Sequence, residues 1–209
     1  PAPPAPPAPP QPASVALTPE EIAAALALEQ EKAQQAQAIE LARLQEEAEA
    51  LAKEKEKEAK LAEEQAIKDY IDSIEDQLAK PLEEQKGTGP HNALFFTVPG
   101  KLVPDKPARV FVNCHMSPVL QGKHNVRIMG GFNEWQIGKV DTSMIPIGND
   151  QTGWFYTDIH VPDIAYGFNF CFEADNAFEN NNMDNFYQEV YYGMNKDEVE
   201  TMMKGFSAY

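Results

Sequence analysis

Trp154-Phe155-Tyr156-Thr157-Asp158-Ile159-His160-Val161 decides the fold class. Phe155, Thr157, Ile159 and Val161 fall on one face, and Trp154, Tyr156, Asp158 and His160 on the other. That is the period-2 signature of a half-buried β-strand. Further on, Phe168, Phe170 and Phe172 alternate with Asn169, Cys171 and Glu173. The three Phe read as core, which turns Cys171 to the opposite face and away from a core disulfide with Cys114. Arg109–Asn113 and Asn125–Met129 read as strands upstream, Ser143–Ile147 as an edge strand because of Pro146, and Asn185–Tyr191 as the last strand. Short strands separated by turn signals predict a mainly β fold, an immunoglobulin-like antiparallel β-sandwich over residues 109–193.

The segments before the strands have other periods. Residues 1–17 are Pro/Ala-rich and predict an extended, semi-rigid linker. Residues 18–86 read as one long charged helix or coiled coil. Thr18 is the N-cap, Pro19 takes the first helical position, and Glu21 completes a capping box. Leu41, Leu44, Ala48 and Leu51 follow coiled-coil spacing, which the run Lys53-Glu54-Lys55-Glu56-Lys57-Glu58-Ala59-Lys60 then breaks. Apolar positions return at Ile67, Ile71, Ile74 and Leu78, to pack on the following domain or on a partner helix. Residues 87–108, opening on Lys86-Gly87-Thr88-Gly89-Pro90, are expected to be a linker, and residues 194–209 the start of a further segment or a linker. The chain opens on proline and is expected to be part of a longer protein.

Composition narrows the function. The chain has 209 residues and a net charge of −16, from 33 acidic and 17 basic residues. That argues against nucleic acid, which calls for a basic footprint, and against anionic membrane surfaces. No apolar run approaches the roughly 20 residues that span a bilayer. The 2 cysteines and 4 scattered histidines make neither a disulfide framework nor a metal site, so two free thiols, no metal and no cofactor are expected.

Three motifs in the β region carry chemistry. In Gly130-Gly131-Phe132-Asn133-Glu134-Trp135 a turn sets an indole beside an amide and a carboxylate. An indole stacks on the apolar face of a sugar ring, while amide and acid meet its hydroxyl rim. Gly153-Trp154-Phe155-Tyr156 is the second. The third, Phe178-Glu179-Asn180-Asn181-Asn182-Met183-Asp184-Asn185-Phe186-Tyr187, has three successive amides able both to donate to and accept from hydroxyls. Each is also explained by turn chemistry or by a core Trp. Asp158, Glu173, Asp175 and Asp184 are present, but nothing pairs two of them across a cleft, so no catalytic residue is assigned.

In order and spacing the three motifs, with Phe168-Asn169-Phe170-Cys171-Phe172 between them, resemble carbohydrate-binding module family 53. These are the starch-binding modules repeated in plant and algal starch synthase III, and family 25 is related. The resemblance covers about Arg109 to Tyr191. It implies a β-sandwich that binds α-1,4-glucan without catalysis, as the non-catalytic part of a starch synthase. By position, Trp135 corresponds to the platform Trp, with Asn133 and Glu134 beside it. Asn181 and Asn182 correspond to the polar pair of the family's Asp-Asn-Asn loop, with Asn180 in place of the acid. The family sets an aromatic just before that loop, where this chain has Glu179. Either Phe178 serves in its place or the second platform is lost. Lys139 is a further contact. The resemblance also implies starch, amylopectin and maltooligosaccharides as partners, helix-mediated self-association or contact with other starch enzymes, and a plastid (chloroplast stroma) location. A coiled-coil scaffold in which glucan binding is weak or lost is the competing reading.

Overall fold

The computed structural model describes residues 18–90, 92–148 and 153–206. The Pro/Ala-rich stretch 1–17 lies outside them. The chain divides into two units, Pro1–Ala62 and Glu63–Tyr209.

The described part of the first unit is helical. Helix α1 is assigned over Pro19–Asp72. Its start is the capping box expected from the sequence: the Thr18 amide donates to Glu21 Oε2 at 2.8 Å and the Glu21 amide to Thr18 Oγ1 at 3.4 Å. The Thr18 amide, followed by its hydroxyl, holds the Glu21 carboxyl below its ordinary pKa. Glu56 and Lys60 pair at 2.7 Å one turn apart. Leu41, Leu44 and Leu51 are exposed.

In the second unit the helical pattern is broken twice. After α1 come α2 (Ile74–Ala79) and α3 (Leu82–Lys86), separated by Lys80 and Pro81. Pro81 has no N–H to donate and its ring clashes with the preceding turn, so one helix through residue 86 is excluded. The expected linker, residues 87–108, instead contains strand β1 (Phe95–Val98), and Leu102 and Val103 within it are buried.

The remaining strands are β2 (Pro107–Asn113), β3 (Val126–Phe132), β4 (Ile137–Ser143), β5 (Ile145–Pro146), β6 (Trp154–His160), β7 (Gly167–Ala174), β8 (Ala177–Glu179) and β9 (Phe186–Glu189). They form two antiparallel sheets. The first has the order β1-β2-β6-β5; the second runs β4-β3-β7, with β8 and β9 both pairing the far edge of β7. Alternate residues of both sheets meet in one core that includes Val110, Val112, Ile128, Phe132, Phe155, Ile159, Phe168, Phe170 and Phe172. The sandwich is thus built by the residues whose alternation announced it. Pro146 lies in edge strand β5, as its missing N–H requires.

Trp154 is not in that core. It lies on the outer face of the first sheet, where Phe96, Val98, Phe111 and Ile147 form a second buried cluster that Leu78 and Leu82 pack against. Gln85, on α3, is 1% exposed; its amide nitrogen donates to the carbonyls of Leu78 and Lys80 at 3.0 and 2.6 Å, and its oxygen accepts from Arg109 at 3.2 Å. The end of the helical region is therefore part of the β unit. Residues 194–209 contribute helix α4 (Lys196–Phe206), which starts on a reciprocal cap between Asn195 and Glu198 and buries Val199.

Candidate functional site

The β3–β4 turn is held from beneath. Asn133, Glu134 and Trp135 adopt left-handed φ values of 54°, 58° and 69°. Such a run in non-glycine residues is strained and persists only where its surroundings over-determine it. Asn133 supplies that constraint. It is 2% exposed; its amide nitrogen donates to the Ile164 carbonyl at 2.9 Å, and its oxygen accepts from the Tyr166 amide at 2.8 Å. Its backbone amide donates to the Gly167 carbonyl at 2.8 Å. Asn133, expected at the rim, is a buried strut whose side-chain nitrogen and oxygen each bond the backbone.

The turn folds back onto β3 at Gly131, where a Cβ would stand 2.9 Å from Trp135 Cα. No larger residue admits this approach. Trp135 is left 45% exposed on the outer face of the second sheet. Across the strands, Gly131 pairs with Asn169 and Asn169 with Tyr187. The row spans two inter-strand spacings, roughly 10 Å. Tyr187 is 53% exposed, and its ring lies over Gly167. Two half-exposed rings, Trp135 and Tyr187, thus flank Asn169, whose Oδ1 accepts from the Glu134 amide at 3.3 Å.

The charged groups here are paired. Glu134 forms an ion pair with Lys196, at the start of α4, and Lys196 Nζ stands 6.0 Å from the centre of the Tyr166 ring. The hydrogen bond to Glu134 holds the Lys196 ammonium above its ordinary pKa. Desolvation, followed by the Glu134 charge, raises Tyr166; desolvation, followed by Glu189, raises Tyr187. Both phenols remain protonated donors at neutral pH. A cavity of about 330 Å³ beside them is lined by Tyr166, Tyr187, Tyr191, Tyr192 and Lys196.

The other expected residues are spread along the same face. Phe178 is 52% exposed and pairs with Glu173, four residues along β7 from Asn169. At the rise of a strand that is roughly 13 Å from the Trp135–Tyr187 row. Between the two rows β8 leaves β7 and β9 returns, and the loop 180–185 protrudes there. Asn180 Oδ1 caps the loop by accepting from the Met183 amide at 3.1 Å, and the Asn181 amide nitrogen donates to the Asn185 carbonyl at 3.2 Å. Asn182 is exposed at φ 57°, and its side chain has no partner among the described residues. Lys139 extends from β4, 3.5 Å from Asp141.

Tyr187, Asn169, Tyr166 and Lys196 are the members that sequence reasoning did not single out. A signal existed for two of them: Asn169 alternates with the core Phe residues, and Tyr187 sits within the expected last strand. Both cysteines are free and buried, Cys171 on the outer face opposite Met129. Among the described residues no cluster of His, Cys, Asp or Glu is arranged to hold a metal.

Residues 108–170 match the starch/carbohydrate-binding module (family 53) model. The chain is 31% identical over 110 residues to a protein named starch synthase 3, chloroplastic/amyloplastic, from Arabidopsis thaliana, covering 52% of this chain and 10% of that protein. It is 30% identical over 112 residues to soluble starch synthase 3, chloroplastic/amyloplastic, from Solanum tuberosum, covering 52% and 9%. The match thus spans about a tenth of the length of these curated relatives. No solved structure matches the chain. The matched segment runs from the start of β2 into β7 and includes the turn that carries Trp135. On this match, residues 108–170 are similar to the starch/carbohydrate-binding modules of family 53.

Proposed function

We propose that this chain is a non-catalytic α-glucan-binding module that tethers a plastid starch synthase to its polysaccharide, with starch, amylopectin and maltooligosaccharides as ligands. The observation that carries the reading is the pairing of two half-exposed aromatic rings, Trp135 and Tyr187, on one sheet face with Asn169 between them. The rings stack on the apolar faces of sugar units. Asn169, Asn182 and the phenol hydroxyls meet the hydroxyl rim. In this reading Trp135 and Tyr187 are the primary platform, and Phe178 and Asn182 extend it for longer chains. Glu134 and Lys139 are polar contacts at the rim. Asn133, Asn180 and Asn181 act through the backbone they hold. The glucan-binding module takes residues 109–193, preceded by the helical segments within residues 18–86. The names of the relatives favour the plastid location.

Stacking on one ring gives a kcal/mol or so, so isolated affinity is expected in the roughly micromolar to millimolar range. Affinity electrophoresis in amylopectin gels tests the reading. Wild type is retarded, and Trp135→Ala and Tyr187→Ala migrate freely with unchanged circular dichroism. Undiminished retardation of both variants would overturn the assignment.

A second reading, helix-mediated self-association, is favoured by the exposure of Leu41, Leu44 and Leu51 at coiled-coil spacing in α1. Sedimentation equilibrium of the whole chain decides it. A concentration-dependent dimer abolished by Leu44→Glu supports the reading, and a monomer at every concentration rejects it.

A further inference from the structure

One cavity of the β unit lies away from Trp135. It is a cleft of about 690 Å³ along the free edge of β1, closed on one side by α2, α3 and the loop that follows, and on the other by β9. It lies outside the residues the family comparison matches, save through the sheet that supports it. We propose that this cleft is a second binding site, for a neutral sugar of one to a few rings.

Its wall is unusual in what it leaves unbonded. Thr97 is 5% exposed, and its hydroxyl has no hydrogen-bond partner, alone in this among the buried side-chain polar atoms of the described residues. A buried hydroxyl without a partner is destabilising; this oxygen is itself shielded, and a rotamer change of Thr97 would present it to a ligand or ordered water in the cleft. Gln188, half-buried, pairs with the core-facing Phe168 and so points into the sandwich edge, with no side-chain hydrogen bond of its own. Gln77 donates to Ser73 at 2.9 Å and keeps its carbonyl oxygen available. As an edge strand, β1 adds alternate backbone N–H and C=O groups without a strand partner.

Charge selects the ligand class. No acid or arginine lines the cleft, and Lys80 is paired with Glu84 at 3.1 Å. A charged ligand would find no counter-ion. The Gln188 amide, the Gln77 carbonyl oxygen and the Thr97 hydroxyl suit vicinal hydroxyls, while Phe95 and Val98 give an apolar wall. The volume falls within the range of small-molecule sites, about 300–1,000 Å³. Gln188 and Tyr187 are neighbours on β9 and face opposite ways, so the cleft and the Trp135–Tyr187 face are separated by one strand. The choice of a glucose oligomer as probe rests on the glucan reading above; the existence of the site does not.

Site-resolved amide shifts of the whole chain titrated with maltotriose test this. The expected result is two sets of saturable shifts, one around Trp135 and Asn169, the other around Gly89, Thr97 and Gln188. Trp135→Ala should abolish the first set only. Thr97→Val keeps the shape and removes the hydroxyl, so it should weaken the second set about fivefold and leave the first intact, which also reports the fold. Shifts confined to the Trp135 face would overturn the cleft proposal, leaving a water-filled cleft, and would uphold the glucan reading. Shifts confined to the cleft would do the reverse. Thr97→Val without effect on the second set would remove Thr97 from the site and overturn the argument built on it.

Discussion

The Tyr187 ring lies across Gly167 so closely that a Cβ on the glycine would stand 2.4 Å from Cε2 and 2.5 Å from the phenol oxygen. The glycine is there to seat a ring. Gly131 does the same for the turn that carries Trp135, one strand row away. Two small residues on one sheet face therefore hold two aromatic side chains against it.

Gly167→Ala is expected to lift the Tyr187 ring without breaking the strand, because the colliding atoms belong to the far end of a side chain. Maltoheptaose affinity should fall about fivefold, close to the effect of Tyr187→Ala, as stacking of one ring predicts. Isothermal titration calorimetry of both variants checks it. Combining the two changes should add nothing, because they remove the same contact.

Asn133→Ala should show in stability rather than in direct contact. It strips the buried Ile164 carbonyl and Tyr166 amide of their partners and leaves alanine at φ 54°. Each stranded group is worth about 1–3 kcal/mol. Urea unfolding should lose a comparable amount, with Trp135 fluorescence shifted before the main transition.

Cys114 predicts the alkaline behaviour. It is 1% exposed, and burial raises its thiol from 9.0 to about 11. A raised pKa means that the folded state keeps its proton after the unfolded chain has lost it. The thiol's contribution is therefore full below the unfolded value, declines as pH rises through it, and has gone at the folded value. Stability should fall by on the order of 2 kcal/mol between these limits. Cys114→Val should flatten that decline, measured by thermal unfolding across the pH series. Native Cys114 should also resist iodoacetamide at pH 8, in roughly the way buried thiols do.

Gln85→Leu tests the attachment of α3 to the first sheet. Three hydrogen bonds are lost from a side chain 1% exposed, two of them leaving carbonyls of the α2–α3 connection unpaired. A loss of about 1–3 kcal/mol is expected. Hydrogen exchange should rise in α2 and α3 and on β1, which their leucines cover, and not on β3 or β7.

Much of this was legible residue by residue. The alternation of Phe155 with Tyr156, and of Phe168 with Asn169, assigned faces correctly, because successive side chains of a strand point opposite ways whatever their neighbours are. Thr18 and Glu21 announced a capping box that depends on four consecutive residues. Trp135 stood out because its turn is local. The same reasoning missed β1, β4 and β8 and treated residues 87–108 as a linker, since Phe95–Val98 is short and lies among turn residues. It also took Asn133 as a rim amide, because nothing in the turn reveals that the segment 162–166 closes over it.

The sequence by itself determined the local properties: strand period and facing, the helix start, the breaks at glycine and proline, and an acidic chain in which two cysteines take opposite faces. Only the tertiary structure decided which residues are neighbours. The second ring beside Trp135 is Tyr187, reached through Asn169 across three strands, while Phe178 lies farther along the same face. Trp154 packs on the outer-face cluster around Phe96 rather than in the core between the sheets. The physical reason is that the period of a strand is encoded in its own side chains. Its partner and register are chosen by burial summed over the whole sandwich, between residues far apart in the chain.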